Sequence, residues 1–149
     1  MMMNVPAKVV VASDHAGFAL KEVIKEYLET KGIEVVDVKP VREEGDDYPA
    51  IIRNGCAKVL EYDCLGFVFG GTGNGEAIAA NKVRGIRCAL CYNEETTRLA
   101  RAHNDANIMS LGGRMLETEY AKELVDIFLT TDFEKGRHKR RVDDLEVGQ

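Results

Sequence analysis

Leu65-Gly66-Phe67-Val68-Phe69-Gly70-Gly71-Thr72-Gly73-Asn74-Gly75-Glu76 is the stretch whose reading decides the fold. It begins as an apolar run long enough for a buried strand, then breaks into glycine at 70, 71, 73 and 75. Ala77-Ile78-Ala79-Ala80-Asn81-Lys82 follows and reads as helix. A strand that opens through a glycine turn into a helix aims free backbone N–H groups at one point, where the helix dipole favours an anion. Glu76 stands at the mouth of this turn, and a carboxylate there repels a phosphate. The turn therefore suits a neutral, polarisable part of a ligand, with Glu76 as a working group. The plainer alternative is a helix-start acid stabilised by the dipole. Spacing alone leaves both open.

Toward the N-terminus, residues 7–13 are a β-branched run and form the first strand. Asp14-His15-Ala16-Gly17 is a tight turn. Residues 18–31 carry apolar side chains at 20, 23, 24, 27 and 28, the spacing of an amphipathic helix, with Gly32 as its C-cap. Residues 33–38 form strand two. A polar connection over 40–47 holds Arg42, Glu43, Glu44, Asp46 and Asp47, and Tyr48-Pro49 then opens a helix that runs to about 62.

Beyond the glycine turn, a helix begins near Glu76 and residues 86–92 form strand four. Asn93 caps a helix that ends near Asn104, with Glu94 and Glu95 in its first turn. Residues 107–111 form strand five, Gly112-Gly113-Arg114 a turn and 117–130 a helix. The polar tail over 132–149 starts with a basic cluster. Strands that are near-continuous apolar runs and alternate with helices imply an α/β fold. We expect a three-layer αβα sandwich with a five-stranded parallel Rossmann-like sheet, a C-terminal helical tail and a single domain over 1–149. Ligands bind such sheets beyond the carboxyl ends of the strands. Asp14, His15, Glu76 and Arg114 fall there, whereas His103 and Asn104 precede strand five and need another route to the same crevice.

The length of 149 residues suits one core, and a net charge of −5 argues against general nucleic-acid or membrane-surface binding. No apolar run approaches a membrane span or resembles a signal peptide, so a cytoplasmic protein is expected. Cys88 and Cys91 make a C-x-x-C inside a strand, where residues three apart face opposite ways. With Cys56 and Cys64 they read as reduced core cysteines.

Several chemistries compete for the turn. Gly71-Thr72-Gly73-Asn74-Gly75-Glu76 has glutamate where a dinucleotide fingerprint wants its third glycine, and it lies on the wrong strand. A P-loop is rejected because Glu76 stands where its lysine belongs. A flavin module finds few aromatics near the turns. His15, His103 and His138 lack metal-ligand spacing, and although Asp14 and Glu76 offer oxygens, nothing demands a metal. Acid–base chemistry on a phosphorylated small molecule finds all its parts. Glu76 is the base, the turn amides are oxyanion donors, His103 moves a proton and Arg137-His138-Lys139-Arg140-Arg141 supplies a phosphate clamp. If that segment is helical, Arg137 and Arg141 share a face one turn apart. Plainer readings stand beside these: a solvated basic tail, a helix-end histidine at 103, and turn-and-cap chemistry for Asp14 and His15.

Taken together, Ser13-Asp14-His15-Ala16-Gly17, Asp47-Tyr48-Pro49, Gly70 to Glu76 with Ile78-Ala79-Ala80-Asn81-Lys82, Arg101-Ala102-His103-Asn104-Asp105, Gly112-Gly113-Arg114 and the closing basic run resemble the type B ribose-5-phosphate isomerases. The likeness runs in order over essentially the whole chain. It implies aldose–ketose isomerisation of ribose 5-phosphate and ribulose 5-phosphate in the non-oxidative pentose phosphate pathway, with neither cofactor nor metal. The wider family includes isomerases of six-carbon 6-phosphosugars such as allose or galactose 6-phosphate. A non-catalytic sugar-phosphate or nucleotide sensor is the alternative from another class.

By the same resemblance, Asp14 and His15 would lie in the sugar-phosphate site. Gly71, Thr72, Gly73, Asn74 and Gly75 would hold the substrate and its developing negative oxygen. His103 would help open the ring, Asn104 would bind the sugar, and Arg114, Arg137 and Arg141 would contact the phosphate. The family's site forms between subunits, so a homodimer or dimer of dimers is implied, without nucleic-acid or membrane partners. One branch of the family has a cysteine base at the position of Gly70. Glycine here, with glutamate at 76, makes Glu76 the expected base.

Overall fold

The computed structural model describes residues 5–148; positions 1–4 and 149, the ends of the expected domain, lie outside the described residues. Five strands form one parallel sheet in the order β2-β1-β3-β5-β4: β1 (Lys8–Ser13), β2 (Glu34–Asp37), β3 (Leu65–Gly70), β4 (Cys88–Leu90) and β5 (Ile108–Gly112). Between and after them come α1 (Phe18–Thr30), α2 (Tyr48–Tyr62), α3 (Asn74–Asn81), α4 (Glu94–Ala102), α5 (Thr118–Thr130) and α6 (Arg137–Asp144). The α/β sandwich expected from the alternation is the observed architecture. No helix among the described residues is long and apolar enough to cross a membrane.

The period of two along each strand builds the layers. Val9, Val11, Phe67, Phe69, Met109 and Leu111 point to one face and bury against α1, α4 and α5. Their neighbours Val10, Ala12, Val68 and Ile108 point to the other, against Ile52, Cys56 and Val59 of α2 and Ala80 of α3. Phe67 meets Phe128 of α5 edge to face at 5.6 Å. Cys91 belongs to the first core and Cys88 packs on the second, and all four cysteines are free. Burial pushes the Cys91 thiol up to about 11, so it is an inert core group.

Local boundaries depart from expectation for identifiable reasons. Helix α3 starts at Asn74, ahead of Glu76, because Gly73 takes φ +86° and Thr72 Oγ1 accepts the Asn74 N–H at 3.2 Å. Strand β4 is shorter than 86–92: it is an edge strand, and the Asn81 side chain takes both the N–H (2.8 Å) and the carbonyl (2.9 Å) of Cys88. Asn93 caps α4 as expected, in a reciprocal box with Thr96. The basic tail is helical, as α6.

The topology places the crevice. From β1 the chain moves outward to β2 and then crosses back to β3, so β1 and β3 flank the switch point. After β1 it leaves toward the face of α1, and after β3 toward the face of α3. The loops after β1 and β3 therefore begin side by side at the carboxyl ends of their strands.

Candidate active site

Glu76, in the first turn of α3, is only 3% exposed. Its carboxylate lies where a side chain on residue 70 would be, and a Cβ built on Gly70 would overlap it. A cysteine at 70 and a carboxylate from 76 are therefore alternative occupants of one small space. Gly70→Ala is expected to displace the carboxylate, with a stability loss of about 1–3 kcal/mol from overpacking and a fall in turnover, checked by thermal unfolding and steady-state kinetics.

Burial pushes the Glu76 carboxyl up to about 7; the neighbouring Asp14 carboxyl adds to this by charge and by a shared hydrogen bond, while Glu76's own backbone N–H pulls the other way. An acid poised there both accepts and donates protons at neutral pH. Asp14 is itself held by accepting the Gly17 N–H at 3.1 Å, and Gly17 rests on the backbone of Phe69 and Gly70.

The turn is locked from several sides. Gly113 N–H donates to Gly70 O at 2.8 Å and Arg114 N–H to Gly71 O at 2.9 Å. The Arg114 guanidinium packs over Gly71, where a Cβ would come within 2.6 Å of Nη1. Ser110 Oγ donates to Gly73 O at 2.7 Å, and the Tyr48 phenol sits against Gly75. A cavity of about 420 Å³ opens beside the turn, lined by Thr72, Asn74, Leu90, Tyr92, Gly112 and Met115. Tyr92 and Met115 of its lining are exposed, as is Ile78 of α3.

His15, after β1, is bound twice by one aspartate. Asp46 Oδ1 accepts its backbone N–H at 2.9 Å and meets its ring Nδ1 at 2.9 Å. The hydrogen bond that Asp46 accepts from the ring raises the His15 pKa against the opposing pull of desolvation, and Asp14 and Glu44 add to the rise. Burial works to raise the Asp46 carboxyl, but the His15 ring and N–H outweigh it and hold it below the usual range.

The remaining sequence candidates lie at the other edge of the sheet. Helix α4 runs back against the strand direction, and its end is tied to the starts of β4 and β5 through Ala106 N–H to Ala100 O and Asn107 N–H to Arg87 O, both 2.9 Å. His103, the C-cap of α4, is therefore a strand length from Gly112, on the order of 15 Å. Asn104 is exposed beside it. The His103 ring stacks on His138 of α6 (centroids 4.1 Å apart, planes at 14°), and the Nε2 atoms of both are 3.6 Å from Glu134 Oε1. Glu134 is pinned there by its N–H to Ala102 O at 2.9 Å. Burial lowers the His138 pKa, and the charges of His103 and Arg137 add to this. His138 and Val142 form the buried side of α6, which leaves Arg137 and Arg141 exposed one turn apart. Among the described residues, Arg114, Arg137 and Arg141 have no carboxylate in ion-pair range.

One chain thus unites Glu76, Asp14, His15, Gly71 to Gly75 and Arg114, and it holds His103, Asn104, Arg137 and Arg141 apart from them. His103, Glu134 and His138 bring their ligand atoms within 4.8 Å of one another. Stacked rings keep their lone pairs in near-parallel planes, so they do not converge as a metal requires. Sequence reasoning gave no role to Asp46, Tyr48 or Glu134, and it placed His138 in the phosphate clamp, whereas the ring stacks on His103. Tyr48 alone carried a signal, as an aromatic next to the helix-opening proline.

The ribose/galactose isomerase family profile matches residues 9–145. A ribose-5-phosphate isomerase B of Mycolicibacterium paratuberculosis is 48% identical over 141 residues, 93% of this chain and 89% of the relative. Among solved structures, a ribose 5-phosphate isomerase of Thermotoga maritima superposes with a TM-score of 0.91 at 46% identity, covering 96% of this chain and 98% of its own. A ribose-5-phosphate isomerase B of Mycoplasma genitalium with bound ribulose 5-phosphate gives 0.89 at 41%, with 93% of each chain covered.

Proposed function

The chain belongs to the ribose/galactose isomerase family, and from that footing we propose that it interconverts D-ribose 5-phosphate and D-ribulose 5-phosphate through a cis-enediolate. The observation that carries the chemistry is the buried Glu76 carboxyl, held near neutrality beside the amides of the glycine turn. His103 protonates the ring oxygen of the furanose and frees the aldehyde. Glu76 takes the proton from C2 and returns it to C1. The turn amides face the oxygen on which negative charge develops, which is where preorganised donors lower a barrier. The reaction moves the C2 hydrogen to C1 and the proton of the C2 hydroxyl to the C1 oxygen, with the electrons redistributed within the sugar, so it consumes neither oxidant nor reductant.

A second copy of the chain completes the site. Glu76 and His103 act on adjacent atoms of one small sugar yet lie at opposite edges of one sheet. The Glu76 edge of one protomer therefore meets the His103 edge of the other, in a homodimer or a pair of dimers. The exposed apolar side chains of Ile78, Tyr92 and Met115 around the turn are the kind that such a partner covers. Arg114 then joins Arg137 and Arg141 from across the interface on the phosphate. Binding energy from that phosphate positions a sugar whose chemistry is remote from it.

Turnover of ribose 5-phosphate, allose 6-phosphate and galactose 6-phosphate, measured side by side, tests the assignment. The highest kcat/KM is expected for ribose 5-phosphate. Preference for a six-carbon substrate, or binding without turnover, contradicts it.

A further inference from the structure

We propose that Asp46 is the positioning residue for His15, holding its ring as an imidazolium that presents Nε2–H to the phosphate of the ligand. The naming of the phosphate rests on the isomerase reading above; the Asp46–His15 unit itself does not.

A single oxygen, Asp46 Oδ1, takes both the main-chain N–H and the ring Nδ1 of a residue 31 positions away. Two bonds to one atom fix the ring relative to its own backbone, which sets the rotamer. With Nδ1 occupied, Nε2 is the nitrogen left for a ligand, and the side chain remains 31% exposed. The Asp46 side chain is only 7% exposed, so its charge is largely withdrawn from water and is offset by a cationic partner.

The surroundings explain the need for that cation. Asp14 adjoins His15, and the Asp14 carboxyl also acts on that of Glu76. Glu44 also acts on the ring, and Lys39 acts on Asp46. A phosphate approaching this edge meets two carboxyls, which repel it once ionised. His15 and Arg114 are the cationic groups of this edge that counter them.

The connection that delivers Asp46 is itself anchored. Fully buried Lys21 donates from Nζ to Asp37 Oδ2 at 2.7 Å and to Lys39 O at 2.8 Å, and Lys39 N–H donates to Asp37 Oδ1 at 3.0 Å. This clamp fixes the first residues after β2. Further along, Asp46 N–H closes a turn onto Glu43 O at 3.3 Å.

The test follows the His15 imidazole by NMR titration in the wild type and in Asp46→Asn, with inorganic phosphate as the binding probe. Asparagine keeps an acceptor oxygen and removes the charge. The wild-type ring is expected to titrate above the ordinary histidine value and the variant ring lower. At about pH 8 the variant should bind phosphate about tenfold more weakly, and the gap should close at about pH 5.5, where both rings are charged. The KM for ribose 5-phosphate should follow the same pattern while kcat stays within about twofold, a split that general loss of packing does not produce. Asp46→Glu, which restores the charge, should recover the titration. An unchanged His15 midpoint in Asp46→Asn, a phosphate affinity indifferent to the substitution, or no recovery in Asp46→Glu overturns the proposal. A wild type that fails to turn over ribose 5-phosphate overturns the isomerase reading instead, and the titration and phosphate arms still decide the role of Asp46.

Discussion

Glu76→Gln is expected to lower kcat by at least ~10²-fold and by up to ~10⁴-fold, the range for losing a general base, with the fold intact. Glutamine matches the shape of the buried carboxyl but cannot accept the C2 proton. The sign of the ionisation argues against a folding defect. The folded-state pKa is raised from 4.5 to about 7, so the stability that the neutral acid contributes is full below about 4.5 and is lost as pH rises to about 7. A permanently neutral glutamine avoids that loss, so the variant should unfold at or above the wild-type temperature at neutral pH and above. In the wild type, kcat/KM should climb with pH to a plateau above about 7 as the free enzyme's base ionises. The variant's residual activity should lack that limb. Near-normal turnover by the variant removes Glu76 from the chemistry.

Mixing two nearly inactive variants, Glu76→Gln and His103→Ala, should restore activity. After subunit exchange about half of the dimers are mixed, and each mixed dimer carries one site with both residues intact, so about a quarter of wild-type activity returns. The expectation follows from the two edges of the sheet: no single chain brings Glu76 and His103 together, so each site draws on two chains. A mixture that stays as inactive as its components, with exchange verified by mass, means that the two residues do not serve a shared site.

The layered fold was legible in the sequence because apolar strand runs and amphipathic helices alternate without interruption. The order of strands in the sheet was not. Nothing local in residues 108–112 says that β5 inserts between β3 and β4, leaving β4 on the edge. The turn was legible because close approach leaves a chemical mark: Gly70 yields its side-chain space to Glu76, and Gly71 yields its own to Arg114. Even the separation of His103 from Glu76 was written in the chain, since a residue that ends a helix before a parallel strand falls at the opposite edge. Asp46 was hidden. It is one of four acids within five positions, and only the path of the connection shows that it, and not Glu43, Glu44 or Asp47, reaches His15. His138 was hidden likewise among arginines and lysine, where it read as part of a clamp. In the fold it turns inward and stacks on His103.

Solvent exchange during turnover tests the central assignment most directly. With ribose 5-phosphate in D₂O, the proton held on Glu76 exchanges with solvent before it is returned, so the wild-type protein should place deuterium at C1 of ribulose 5-phosphate and wash out the C2 hydrogen of the aldose, both visible by proton NMR. Glu76→Gln should do neither over the same interval. A glutamine variant that exchanges the C2 hydrogen at the wild-type rate contradicts the account.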